Sequence, residues 1–215
     1  MSEPKILSSL GRTTVMAAQS VSEHVRLVGG TGLACILGHR HSEDVDLFAA
    51  RDEVLRPVVD AVERAAEGMG ASVRRVRTTP HYVRLEIDLD DETLRVDVAN
   101  DTAARLEDPV VIDDMRVESL RDQRANKIAA LLGRSELRDL VDLYFIERAG
   151  VPFLEGIEDA TRKDAGMDAG WLAWSIDQVQ VASLVGMIEP LDLDDLELFR
   201  ARLRDALLDY AGANR

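Results

Sequence analysis

Residues 25–48 read VRLVGGTGLACILGHRHSEDVDLF, and this stretch decides the architecture. VRLVGG is a short apolar run ending on two glycines, the composition of a strand that turns sharply. TGLACIL, residues 31–37, is compact and apolar and suits a helix packed against a sheet. HRHSED is polar and turn-forming. DVDLF then alternates strictly, which marks a half-buried strand. Side chains two apart in a strand leave the same face, so Asp44 and Asp46 point together while Val45 and Leu47 enter the core.

Working outward, a helix is expected from about 52 to 69, with Leu55, Val58, Val59, Val62, Ala66 and Met69 on one face. YVRLEIDL (82–89) and LRVDVAN (94–100) alternate and should be strands, joined by a turn at Asp90-Asp91-Glu92-Thr93. Val110–Ile112 reads as a further short strand. From Glu118 onward the periodicity is helical: one helix over about 119–132, another over 137–148, and two or three beyond. The last should cover about 193–210, with Leu196, Phe199, Leu203 and Leu207 aligned. Strands first and helices after predict an α+β core over 1–116 and a helical C-terminal lobe over 117–215.

The 215 residues carry 26 Lys and Arg against 40 Asp and Glu, a formal net charge of −14. A field of that sign opposes polyanions, so any nucleic-acid partner needs a local basic patch. Arg74, Arg75, Arg77 and Arg84, with His81, lie in a segment without acids and are candidates for RNA contact. A solvated, arginine-rich edge strand accounts for them equally well. No apolar run is long enough to span a bilayer and no secretory signal is evident, so a cytoplasmic protein without membrane partners is expected. The single cysteine, Cys35, sits among apolar neighbours and reads as a structural thiol.

Two carboxylates held side by side repel unless a cation lies between them. Oxygen ligands with open positions favour Mg²⁺, or Mn²⁺, which keeps waters and accepts substrate phosphates. The glycines at 29 and 30 open a helix, where backbone N–H groups can hold a triphosphate, and Thr31 adds a hydroxyl. Asp97 lies on the polar face of its strand and is a candidate third metal ligand; Asp88 is a less well placed alternative. Carboxylates from adjacent strands beside such a turn are what metal-assisted phosphoryl chemistry requires. In RANKIAALLGRSELRDLVDLYFI, Lys127, Leu131 and Arg134 share a face, and Arg138 with Asp142 has the spacing of an ordinary helix ion pair. His39 and His41 with an aspartate make only a weak transition-metal pattern.

These runs together resemble one family. Gly29-Gly30-Thr31-Gly32-Leu33 is similar to a GG-x-x-L turn. His39 to Phe48 is similar to H-R-x-[ST]-x-D-x-D-L-[LF]. Lys127 to Arg134 and Arg138 to Leu143 follow K-x-x-A-L-x-x-R and R-D-x-x-D-L. In this order they resemble the AbiEii-type nucleotidyltransferases, the MenT-like toxins of bacterial toxin–antitoxin pairs. The resemblance covers about Leu27 to Ile146; residues 150–215 carry no assignable motif. It implies a polymerase-beta-like mixed sheet with flanking helices, and transfer of a nucleotide from an NTP to an acceptor, for MenT-like members the 3′ end of tRNA. It further implies Asp44 and Asp46 as catalytic metal ligands, Lys127 on nucleotide phosphate and Asp142 as a further catalytic carboxylate. Gly30, Arg40 and Ser42 would line the nucleotide pocket, and a cognate antitoxin is an expected partner. Two alternatives stay in view: transfer to a small cationic acceptor such as an aminoglycoside, which the acidic balance suits, and a non-catalytic NTP-binding module, against which the retained Asp44, Asp46, Lys127 and Asp142 argue.

Overall fold

The short apolar strand, the double glycine and the DVDLF strand fold as the hub of a mixed sheet. A computed structural model describes residues 6–49, 55–101 and 103–213. The chain divides into two compact units, one made of residues 1–102 and 108–118, the other of residues 103–107 and 119–215.

The first unit holds β1 (Arg26–Val28), β2 (Asp44–Ala49), β3 (Ser72–Thr79), β4 (Tyr82–Leu89), β5 (Glu92–Asn100), β6 (Val110–Ile112) and β7 (Met115–Val117), with helices α1 (Ser9–Val21), α2 (Gly29–Leu37) and α3 (Leu55–Gly68). The seven strands form one sheet in the order β3-β4-β5-β2-β1-β7-β6. β1 runs antiparallel to β2, which runs parallel to β5, while β7 adds parallel to β1. The outer positions thus fall to β3 and β6, and β3 is exposed along most of its length.

The alternation read from the sequence sets the two faces. Val45, Leu47, Val83, Leu85, Ile87, Val96 and Val98 are buried in one cluster with Leu10, Val15 and Ala18 of α1 and Leu55, Val58, Val59 and Val62 of α3. The residues between them, Asp44 and Asp46 on β2 and Arg95 and Asp97 on β5, occupy the other face and are partly exposed. Burying each such aliphatic side chain contributes about 1.5–3 kcal/mol, which fixes the register, because a slip of one residue would bring the aspartates inward.

Several elements differ from expectation. The helix after β1 begins on Gly29 itself, so the glycines form its first turn rather than the end of a strand. The β4–β5 turn is tighter than expected: Glu92 and Thr93 already belong to β5, and Asp90 takes a positive φ of 52°. The described part of α3 starts at Leu55, and the expected start near 52 lies outside the described residues. α1 and β7 are additions. β6 and β7 form a hairpin whose turn residues Asp113 and Asp114 both adopt positive φ, 47° and 66°, a geometry that aspartate tolerates.

The second unit is helical: α4 (Leu120–Arg134), α5 (Leu137–Arg148), α6 (Gly156–Lys163), α7 (Ala169–Asp177) and α8 (Leu193–Ala213). Ser119 caps α4 by accepting from the Asp122 N–H. The Asp122 carboxylate accepts from the backbone N–H groups of Leu106 and Glu107, both at 3.0 Å, and lies 2.7 Å from Lys163 Nζ. Leu196, Phe199, Leu203 and Leu207 of α8 are buried, as their spacing predicts. Among the described residues no helix is long and apolar enough to cross a membrane.

Candidate active site

The polar face of the first unit carries charge in rows that cross the strands. One row pairs Asp44 with Arg95, Arg95 with Glu86 and Glu86 with Arg74. Its charges alternate, and ion pairs join Asp44 to Arg95 and Glu86 to Arg74. The next row runs Asp46, Asp97, Arg84 and Arg77, so two carboxylates stand directly opposite each other on β2 and β5. Like charges in that position are unfavourable. Arg84 resolves half of the conflict with a bidentate grip on Asp97 at 2.8 Å from both Nε and Nη2, and the Tyr82 hydroxyl donates to the same carboxylate at 2.9 Å. Burial, and then the hydrogen bond to Asp97, push the Tyr82 pKa up. Both oxygens of Asp97 are thus engaged by side chains of β4.

Asp46 meets the head of α2. Gly29 has φ +68°, and a Cβ added there would land on the Asp46 carboxylate. Gly30 faces Arg40 and Ser42 in the same way, with Arg40 Nη2 2.5 Å and Ser42 Oγ 3.2 Å from where its Cβ would stand. The double glycine therefore lets the first turn of α2 lie close to a carboxylate, an arginine and a hydroxyl. Arg40 is 7% exposed, and its Nη1 donates to the His41 carbonyl at 3.0 Å. Thr31 behaves differently from expectation: its hydroxyl is fully buried and donates to the backbone carbonyl of Asp44, tying α2 to β2 instead of facing a phosphate.

Gly29→Ala should cost at least about 2 kcal/mol, because the left-handed backbone is strained by a Cβ and that Cβ collides with Asp46. A denaturant titration would show the loss as a lower midpoint. A midpoint equal to that of the native chain would mean that the glycine is not needed for close approach.

The donor chemistry suits a hard divalent cation. Asp44 and Asp46 supply two carboxylates on one face, with coordination positions left for water and phosphate oxygens, as Mg²⁺ prefers. Among the described residues no group of three or more His, Cys, Asp and Glu is arranged around one point. His39 is fully buried while His41 is exposed, so these two do not converge. Asp88 is exposed and accepts from Thr93 at 2.7 Å.

The arginines read as RNA contacts serve largely as counterions. Arg74 pairs with Glu86, Arg84 with Asp97, and Arg75 with Glu63 at 2.6 Å and Asp60 at 3.2 Å. The hydrogen bond to Glu63 raises the Arg75 pKa despite slight desolvation. Arg77 lies over the Tyr82 ring at 5.6 Å, and His81 is exposed. Cys35 is half-buried, and burial, followed by the charge of Asp113, pushes its thiol up to about 11. It is an unreactive thiol at neutral pH.

In the second unit the K-x-x-A-L-x-x-R and R-D-x-x-D-L runs form a buried network between α4 and α5. Lys127 Nζ is 2.9 Å from Asp139 and 2.6 Å from Asp142, and both carboxylates are fully buried. Arg134 grips Asp139 through Nε and Nη2 at 2.7 and 3.0 Å. Burial opposes the Lys127 charge, but Asp142 and then Asp139 outweigh it and raise the ammonium pKa. Arg138, spaced to pair with Asp142, instead reaches Glu136 at 2.6 Å. Sequence reasoning missed Asp139 as the shared acceptor of Lys127 and Arg134. It also missed the buried Arg26, which pairs with Asp101 and with Glu118 in the first unit.

The description "Nucleotidyl transferase AbiEii toxin, Type IV TA system" matches residues 14–213. No curated protein matches the chain. Among solved structures it is similar to JHP933 from Helicobacter pylori, at 20% identity and a TM-score of 0.61, covering 95% of this chain and 91% of that one. It is also similar to MenT4, a nucleotidyltransferase toxin of Mycobacterium tuberculosis, at 16% identity and a TM-score of 0.57, covering 93% and 83%. At such identities these likenesses speak for the fold, a nucleotidyltransferase α+β architecture. The family match spans nearly the whole chain, and the chain therefore belongs to the AbiEii nucleotidyltransferase toxins of type IV toxin–antitoxin systems.

Proposed function

We propose that the protein transfers a nucleotide from an NTP to the 3′ end of tRNA, with Mg²⁺ or Mn²⁺ held by Asp44 and Asp46. The observation that carries this reading is the seat of Asp46 against Gly29, with Asp44 on the same strand face. Here the Asp46 carboxylate meets the positive end of α2. Gly29 and Gly30 would offer backbone N–H groups to the triphosphate, with Arg40 and Ser42 beside them. The bound ion would neutralise triphosphate charge and ease departure of pyrophosphate. Arg95, paired with Asp44, would give up that contact to the cation. Asp97, already held by Arg84 and Tyr82, would position Asp46 electrostatically, and would be a metal ligand only if Arg84 yields.

An ammonium has three donors, and two of those on Lys127 face Asp139 and Asp142. The third would serve a nucleotide phosphate, and Asp142 would orient it or take part as the further carboxylate. A tRNA acceptor would be contacted by the β3–β4 face around Arg77, with Arg74, Arg75 and Arg84 contributing as far as their carboxylate partners allow. A cognate antitoxin would restrain the activity in the cell.

Radiolabelled NTPs incubated with the protein, Mg²⁺ and bulk tRNA should give labelled tRNA, and EDTA should abolish the signal. Label appearing on an aminoglycoside and never on RNA would replace the acceptor, a reading that the net charge of −14 favours. No binding of any NTP by the folded protein would remove the enzymatic reading.

A further inference from the structure

Both tryptophans of the chain stand in solvent on α7, in the second unit. Trp171 is 55% and Trp174 51% exposed, and their rings stack with centroids 4.7 Å apart and planes 25° from parallel. Large aromatic side chains seldom remain in water without a use. Tryptophan in particular is enriched where a partner is gripped. The rest of α7 is ordinary: Leu172, Ala173, Ser175 and Ile176 are buried. The exposure is thus confined to one face.

That face has a charge pattern. Asp168, Trp171, Trp174 and Asp177 recur every three residues and are all exposed, so a carboxylate brackets the indole pair at each end. Asp168 caps the helix by accepting from the Trp171 N–H at 2.7 Å. Asp177 lies 3.1 Å from Arg204, which is also 2.8 Å from Asp205. Arg200 donates to the Asp177 carbonyl at 2.8 Å and pairs with Glu197, so four carboxylates and two guanidiniums leave the surroundings net negative. Indole faces attract cations, and guanidinium groups stack on them best. A nucleic acid could also stack on aromatic rings, but its phosphates would be repelled here. A second copy of the chain would bring a like-charged surface against this one.

We propose that the Trp171–Trp174 face is a docking surface for a basic, arginine-bearing protein segment, whose guanidinium groups lie on the indoles and pair with Asp168 and Asp177. None of these four residues is among the groups assigned to nucleotide transfer, so the test uses binding and not activity.

The test titrates the full chain into fluorescein-labelled deca-arginine at about 50 mM and 150 mM salt, and follows anisotropy. Deca-lysine, a ten-nucleotide single-stranded RNA and deca-glutamate serve as comparison probes. Tryptophan emission of the native chain should change on deca-arginine binding, since the chain has no other indole. Trp171→Ala/Trp174→Ala keeps the net charge, yet should weaken deca-arginine binding at least about tenfold. The Phe pair at the same positions should retain most of the affinity, and Asp168→Asn/Asp177→Asn should lower it with an intact fold. Equal affinity of the native and Ala-pair chains would overturn the proposal, as would tighter binding of RNA than of deca-arginine. So would concentration-dependent self-association in light scattering that the Ala pair removes.

Discussion

Asp46→Asn should reduce nucleotidyl transfer at least about 10³-fold, while stability changes by less than about 1 kcal/mol. The substitution keeps the side-chain volume beside Gly29 and removes only the charge. A cation held by two carboxylates loses one formal charge of attraction, and several kcal/mol of transition-state stabilisation go with it. The stability side of the prediction comes from the register. Asp46 stands opposite Asp97, whose charge is already satisfied by Arg84 and Tyr82. Removing the second carboxylate relieves a repulsion and should not weaken the sheet. A residue kept for the fold behaves the other way, losing stability and activity in parallel. Asp44→Asn should fall in the same direction, leaving the partly exposed Arg95 to water. Transfer within tenfold of the native rate in Asp46→Asn, under saturating Mg²⁺ and NTP, would sink the metal reading.

How much of this was legible in the sequence depends on the physics of each element. The DVDLF strand and the two alternating strands at 82–89 and 94–100 announce themselves, since a period of two survives any choice of partner. Convergence of Asp44 with Asp46 follows from that period alone. The opposition of Asp46 and Asp97 does not, because it depends on β5 pairing parallel to β2 across a long separation in the chain. α1 escaped notice because its buried face mixes Leu10 and Val15 with Gly11, Thr14, Ala18 and Gln19, which dilutes the apolar stripe. Its one signal was Ser8, which caps the helix through the Gly11 N–H. β7 is three residues long and was hidden behind an Asp-Asp turn, although the same dipeptide at Asp90-Asp91 had been read as a turn. The arginines of β3 illustrate a limit of composition. The 72–84 segment holds no acid, and its counterions Asp60, Glu63, Glu86 and Asp97 come from neighbouring elements. In the helical part, i, i+4 spacing suggested an Arg138–Asp142 pair. Packing of α5 on α4 supplied Lys127 instead, a contact that no single-helix periodicity contains.

Lys127→Met should lower stability by about 3–5 kcal/mol, the largest loss expected from a single substitution in the helical unit. The change leaves Asp139 and Asp142, both fully buried, without the ammonium that lies between them. Asp139 keeps Arg134, which limits the penalty on its side of the network. The pH dependence has a definite sign. Lys127 has a folded-state pKa above its unfolded value, near 10.4, so its contribution is complete below that pH and is lost as pH rises through the folded value. In the variant, the deficit should instead narrow as pH falls toward the carboxylate range, where the stranded acids can take up protons. Lys127→Met/Asp142→Leu removes both charges and should recover about half or more of the loss, a coupling that a double-mutant cycle measures. That recovery separates a structural role of the Lys127–Asp142 pair from a role in transfer. Were the pair only structural, the stabilised double variant would regain transfer activity along with its fold. Were the pair also to act on the nucleotide, the double variant would fold well and remain inactive. Hydrogen exchange at the α4 and α5 amides, followed beside the transfer assay, distinguishes the two outcomes, and loss of activity with restored protection is the expected result.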